Sequence, residues 1–435
     1  MRNLSLDAAV ADAEARYVAA NPQSKARFEA AARDMPGGNT RTVLHYDPFP
    51  VALVKGEGAR LTDLDGHTYI DFLGEFTAGL YGHSEPAIIR AIREALAGGL
   101  VLGGPNCYEA RLAELMCRRF PALELVRFCN SGSESTLMCL SLARAVTGRS
   151  AVMAFNGAYH GGFLSFAGGG SPINAPFPYV MADYNDAEGT RQLITRHASD
   201  LAAIIIEPMM GSGGCIPADP AFLRLLREES ERHGMVLVFD EVMTSRLAPS
   251  GLHGKLGVRP DLVAFGKYLG GGVSFGAFGG KRLLMQRLDP TRPDGLTHSG
   301  TYNNNVLTMA AGIAGLEQVY TPEAAERLNA GGDRLRAKLN AAVEKHDVPI
   351  QVLGQGSMLC FHPQAGLIRR PADLAKAPAA LRKLLHLELN LRGLYLARRG
   401  FMSLSLPMTD DDHDVMVAAF DAYLGDYAGV HRQPA

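Results

Sequence analysis

The chain has 435 residues, of which 47% are apolar and 20% charged, and carries a formal net charge of −2. Its length suits a large core divided among two or three compact units, and its composition is that of a soluble globular protein. Basic residues occur as scattered pairs such as Arg118-Arg119 and Arg369-Arg370 rather than as a stripe, which argues against nucleic acid as a partner.

Residues 5 to 34 have the spacing of two amphipathic helices interrupted near Asn21-Pro22, where proline removes a donor and restricts the residue before it. The opening segment is broken by Asp7, Asp12 and Glu14, so no signal peptide is expected. No apolar run reaches the length of a membrane span either. LTDLDGHTYIDF, at 61 to 72, alternates apolar residues about Asp65-Gly66, a dipeptide suited to a tight hairpin. The middle of the chain changes character. Short apolar runs recur at 125–129, 151–155, 202–206, 236–239 and 262–265, without alternation, which predicts strands buried on both faces of a parallel sheet. Segments of helical spacing such as PAFLRLLREESERHG lie between them as crossovers. Charged helical sequence returns after Pro322, a mixed region follows from Val348 to Pro407, and a last amphipathic helix covers Asp410 to Leu424.

This pattern predicts a large α/β domain over residues 71–322, with a mostly parallel sheet sandwiched by helices. A smaller, discontinuous α+β domain would be built from 1–70 and 323–435. The six cysteines include no C-x-x-C pair, so free thiols in a reducing, cytoplasmic setting are expected.

In open α/β sheets ligands sit beyond the carboxyl ends of the strands. Asn130-Ser131-Gly132, Glu207-Pro208, Asp240-Glu241 and Gly266-Lys267 all fall at such ends. Asn130 to Ser135 opens a helical stretch, whose unpaired N–H groups suit a phosphate monoester, with Ser131 and Ser133 as further donors and Gly132 allowing close approach. The same residues also read as a plain N-cap with a capping-box-like glutamate. Lys267 leaves an apolar strand into FGKYLGGG; burial there would lower its pKa and make the amine nucleophilic. A surface lysine is the alternative. Asp240 ends the apolar run VLVFD, where a carboxylate needs a partner: a pyridinium N–H, a helix N-cap or a nearby arginine.

Two other patterns lack their context. Gly272-Val273-Ser274-Phe275-Gly276 matches the nucleophile elbow of serine hydrolases, but that motif follows a strand and opens a helix, and here glycine-rich sequence flanks it on both sides. None of the Gly-x-Gly pairs has the third glycine of a dinucleotide fingerprint. His83, His160 and His298 lie apart without metal-ligand spacing and are expected to hydrogen bond in or near the core; no metal is expected.

Taken in order, SGSES at 131–135, GAYHG at 157–161, EP at 207–208, DEV at 240–242, GK at 266–267 and GT at 300–301 resemble the class III, fold-type I aminotransferases. PGGNTR, DGHTYIDF and GLYGHSEP extend the likeness toward the start, so it covers nearly the whole chain. It is similar in particular to the branch that holds glutamate-1-semialdehyde aminomutase and, through NTRTVLHYDPFP, FDEVMTSRLAPSGL and HSGTYNNN, to the transaminases of β-amino acids such as β-phenylalanine.

The resemblance implies pyridoxal 5′-phosphate as cofactor. Lys267 would be joined to it and later carry a proton, and Asp240 would keep its ring nitrogen protonated. Ser131, Gly132 and Ser133 would hold the phosphate, with Thr301 reaching it from the other subunit of a homodimer. Tyr159 and Val242 would cover the two ring faces, and Glu207 would lie near the ring hydroxyl. Arg41, in N-T-R, would bind the carboxylate of a β-amino acid. In Ala397-Arg398-Arg399-Gly400-Phe401, either Arg399 or Arg398 would take that of a 2-oxo acid such as 2-oxoglutarate or pyruvate. The segment lacks the glutamate-containing F-E-A stretch of the aminomutase, which disfavours an isomerase, the second reading.

Overall fold

The computed structural model describes residues 5–376 and 378–432. Strands are β1 (Leu53–Glu57), β2 (Arg60–Asp63), β3 (Thr68–Asp71), β4 (Leu125–Cys129), β5 (Ala151–Phe155), β6 (Tyr179–Ala182), β7 (Leu201–Ile206), β8 (Met209–Met210), β9 (Ile216–Pro217), β10 (Val236–Asp240), β11 (Leu262–Gly266), β12 (Gly276–Gly280), β13 (Gln351–Gln355), β14 (Met358–His362), β15 (Leu394–Tyr395) and β16 (Phe401–Ser403).

The five apolar runs are β4, β5, β7, β10 and β11, and they lie in one seven-stranded sheet of order β4-β12-β11-β10-β7-β5-β6. All pairs are parallel except those of β12, which runs antiparallel to both β4 and β11. Alternate residues divide between two cores. Leu262 and Ala264 pack with the helix Gly132–Thr147 on one face, whereas Val263 and Phe265 pack with Leu112, Met116 and Met309 on the other. Every residue of β7, LAAIII, is buried. Each of its isoleucines contributes about 1.5–3 kcal/mol by leaving water, which is why such runs show no alternation. The run at 125–129 departs from the expected burial on both faces: β4 lies at the sheet edge, carries Arg127, and its first three residues are half-buried.

The expected hairpin forms from β2 and β3, and β3 also pairs in parallel with β15, tying the first part of the chain to the last. A third core joins Ala9, Tyr17, Tyr46 and Phe72 with Leu335, Leu384, Phe401 and Phe420. The early helices, Leu6–Ala20 and Pro22–Ala31, break at Asn21, with Pro22 at the first helical position where its missing N–H costs nothing. The final helix, Asp410–His431, runs past Leu424, where the sequence reading ends it. Tyr427, Ala428 and Val430 continue the buried stripe beyond Gly425, and packing outweighs the helix-weakening glycine. Among the described residues no helix is long and apolar enough to cross a membrane.

Candidate active site

The carboxyl edge of the sheet gathers most of the residues singled out from sequence. At the end of β4, Ser131 caps the helix Gly132–Thr147, its Oγ accepting from the Glu134 N–H at 3.2 Å. Glu134 reaches back to the Asn130 N–H at 2.9 Å, one residue short of a true capping box. The cap reading of this segment therefore holds, and it leaves the first-turn N–H groups of Gly132 and Ser133 without acceptors inside the helix. Ser133 Oγ accepts from the Gly162 N–H at 3.1 Å and keeps its own proton to donate. Gly132 is required by contact: a Cβ there would lie 2.8 Å from Cγ1 of Val242. Val242 thus lies across the ends of β4 and β11.

Asp240 ends β10 and is buried. Its Oδ2 meets Nδ1 of His160 at 2.8 Å, and its Oδ1 accepts from the Val242 N–H at 3.0 Å. Of the partners open to it from sequence, neither an N-cap nor an arginine is the one found. His160 was expected only to hydrogen bond in the core; its pairing with Asp240 went unforeseen, although GAYHG carries it beside Tyr159. Tyr159 is exposed over the sheet edge, and its N–H donates to Glu207 Oε2 at 3.2 Å. Glu207 Oε1 accepts from the Gly211 N–H at 3.0 Å. Burial raises the Glu207 pKa, with His160 opposing the shift and Asp240 adding to it.

Lys267 follows β11 with φ +56° and is half-buried. Desolvation lowers its pKa to about 8, against the carboxylates of Glu75 and Asp240 and together with the guanidinium groups of Arg41 and Arg399. Two cations from distant parts of the chain thus bear on this amine. Arg41 pairs with Glu75, Nη2 to Oε1 at 2.6 Å, at the rim of a cavity of about 330 Å³ that Leu73 and Tyr395 also line. Arg399 lies against two aromatic rings, 5.2 Å from the centroid of Phe76 and 5.4 Å from that of Phe401. Arg398 is exposed. Glu75 and Phe76 gave no sequence signal of their own.

Thr301 is exposed in a loop that Asn303 ties to Asn130, Oδ1 to Nδ2 at 2.9 Å. Ser274 precedes a strand instead of opening a helix, because a Cβ at Gly276 would lie 2.1 Å from the Ser131 carbonyl and glycine there lets β12 run beside β4. The elbow reading fails on that context. Among the described residues no cluster of three or more His, Cys, Asp or Glu could hold a metal.

A family model described as aminotransferase class-III matches residues 43–380. The chain belongs to the class III aminotransferases. It is 50% identical, over 99% of both chains, to the beta-phenylalanine transaminase of Variovorax paradoxus. A crystal structure of a beta-phenylalanine aminotransferase from that organism superposes with a TM-score of 0.97, covering 99% of this chain and 100% of its own. Glutamate-1-semialdehyde 2,1-aminomutase 2 of Brevibacillus brevis is 36% identical over 90% of this chain and 96% of its own. A transaminase solved with PLP bound is 33% identical, with a TM-score of 0.87 over 95% of this chain and 99% of that one. Class III aminotransferases use pyridoxal phosphate, and the residues here fit it. An anion-ready helix N-terminus, a buried carboxylate and a lysine of lowered pKa stand along one sheet edge.

Proposed function

We propose that this aminotransferase moves the amino group of an aromatic β-amino acid, such as β-phenylalanine, to a 2-oxo acid such as 2-oxoglutarate or pyruvate. One observation carries the reading: two guanidinium groups bear on Lys267, Arg41 at the rim of a cavity of about 330 Å³ and Arg399 against Phe76 and Phe401. A transaminase takes two carboxylates in turn, and a planar fork suits each.

When bound, pyridoxal phosphate supplies an aldehyde to take up the amine and a ring to accept electrons. Lys267 would hold that aldehyde and would afterwards carry a proton at the substrate carbon. Asp240, held by His160, would keep a proton on the ring nitrogen. Ser131, Gly132 and Ser133 would hold the phosphate, Tyr159 and Val242 would cover the ring, and Glu207 would serve the ring hydroxyl. Arg41 takes the carboxylate of the donor and Arg399 that of the oxo acid; Arg398 is set aside for its exposure.

We further infer a homodimer in which Thr301 reaches the partner's phosphate. Leu100, Val101, Leu102 and Tyr302, exposed beside that loop, support burial against a second copy. Residues 71–322 would form the cofactor-binding domain and 1–70 with 323–435 the smaller one, a division supported by a third core drawn mainly from residues before 77 and after 334. The six unpaired cysteines suit a cytoplasmic enzyme.

The test is a donor panel of α-, β- and γ-amino acids with 2-oxoglutarate and pyruvate on cofactor-saturated protein. Oxo-acid amination from β-phenylalanine is expected; amination from α-amino acids alone sinks the substrate assignment. Turnover of a single substrate without any oxo acid would point to an aminomutase instead.

A further inference from the structure

Four consecutive residues, Gly74 to Thr77, have φ values between +45° and +83°. A left-handed turn bearing three side chains is unfavourable by itself and persists only where its surroundings over-determine it. Asp71 Oδ1 caps its entry, accepting from the N–H groups of Leu73 and Gly74, both at 3.0 Å. Ser403 holds the same stretch, its Oγ donating to the Leu73 carbonyl at 2.8 Å.

The exit is held differently. Arg246, in the turn after β10, is fully buried, and the partners of its guanidinium are neutral oxygens. Nη1 donates to the Thr77 carbonyl at 3.4 Å, Nε to Ser357 Oγ at 3.0 Å, and Nη2 to the Leu404 carbonyl. The fork is itself fixed, because Asn329 Nδ2 donates to the Arg246 carbonyl at 2.9 Å and its Oδ1 accepts from the Ser357 N–H at 2.8 Å. Burying a cation among neutral partners is costly, and an apolar side chain would fill the space more cheaply. What the cation gains is a grip on three segments far apart in sequence.

Those segments carry the contacts of both arginines beside Lys267. From the turn, Glu75 pairs with Arg41 and Phe76 stacks on Phe401 with centroids 6.1 Å apart, Arg399 lying against both rings. Phe401 begins the short strand that leads into Leu404. We propose that Arg246 is a positioning residue for carboxylate recognition: by holding Thr77, Ser357 and Leu404 together it sets Arg41 through Glu75 and Arg399 through Phe76 and Phe401. This rests on the reading that Arg41 and Arg399 bind substrate carboxylates. Lysine cannot replace it, since an ammonium lacks the planar fork that meets three diverging acceptors.

The test measures binding of two unreactive carboxylates, 3-phenylpropionate and glutarate, to the holoenzyme by calorimetry. Arg246→Lys and Arg246→Met should each weaken both ligands by about tenfold, the loss of a few well-placed hydrogen bonds. KM should rise for donor and acceptor while kcat and cofactor content stay near wild type, a split that general destabilisation would not produce. Unchanged binding of both ligands in cofactor-saturated Arg246 variants overturns the proposal. Arg41→Ala and Arg399→Ala are run alongside: if they too leave binding unchanged, the carboxylate reading itself has failed. Should the Arg246 variants not fold, Ser357→Ala decides, with both ligands weakened about two- to threefold expected and wild-type binding overturning the proposal.

Discussion

Lys267, Asp240 and Ser131 leave the carboxyl ends of β11, β10 and β4, whereas Arg41, Glu75 and Arg399 stand on turns outside any sheet ladder. The first group inherits its geometry from a sheet whose register is fixed by fully buried strands. The second depends on side chains gripping one another across the fold, through Glu75, Phe76 and Arg246. Rigid strand ends suit groups that act on one invariant cofactor. Turns would suit groups that receive two different substrate carboxylates, and here they are steadied by the third core through Phe76 and Phe401.

The contrast predicts that damage at strand ends removes chemistry, while damage in turns removes recognition. The largest effect belongs to Lys267→Ala, which should lower transamination by more than about 10⁴-fold, as both the covalent anchor and the proton carrier are lost. Borohydride treatment followed by mass analysis should find cofactor on the wild-type side chain and none on the variant; a variant of near-normal rate would remove the basis for the contrast. Asp240→Asn should keep the cofactor and lower kcat by about 10²–10³-fold, because an amide cannot stabilise a protonated ring nitrogen in a buried site.

Recognition comes next in size. Arg41→Ala should raise the donor KM by about 10- to 100-fold with a smaller change in kcat, the value of a charge-assisted fork. Arg399→Ala should do the same for the oxo acid. Steady-state kinetics with each substrate varied would show whether the two roles are as assigned or exchanged.

The smallest effect joins the two regions. Burial brings the Lys267 pKa down to about 8, below the ordinary value near 10.4. Its neutral form in cofactor-free enzyme should therefore rise with pH up to that value and level off above it, and cofactor capture followed by absorbance should trace the same curve. Glu75 favours the ammonium, so Glu75→Gln should move the curve to lower pH. A rate still climbing at about pH 10 would mean a solvated, ordinary lysine.

The two regions also differed in how readable they were. Unbroken apolar runs announced β5, β7, β10 and β11, while the edge strand β4 carries Arg127 at its centre, and polar residues at the strand ends announced Ser131, Glu207, Asp240 and Lys267. That signal is contained in windows of five or six residues, because burial on both faces of a sheet demands it locally. β12 was harder: GAFGG has little apolar bulk, and its strand exists because glycine lets its backbone approach Ser131. His160 stood within a motif already noticed, yet nothing local says that its ring meets Asp240.

Sequence alone, then, determined the α/β plan, the order of the motifs and which residues stand at the strand ends, since each is written in neighbouring residues. The tertiary structure decided which arginine of the Arg398-Arg399 pair lies against the stacked rings of Phe76 and Phe401, that Glu75 meets Arg41, and that residues 74–77 turn left-handed. Those outcomes depend on contacts among positions 41, 75, 246 and 399. No local rule brings such distant residues together; the close packing of the cores and the hydrogen bonding of one buried guanidinium do.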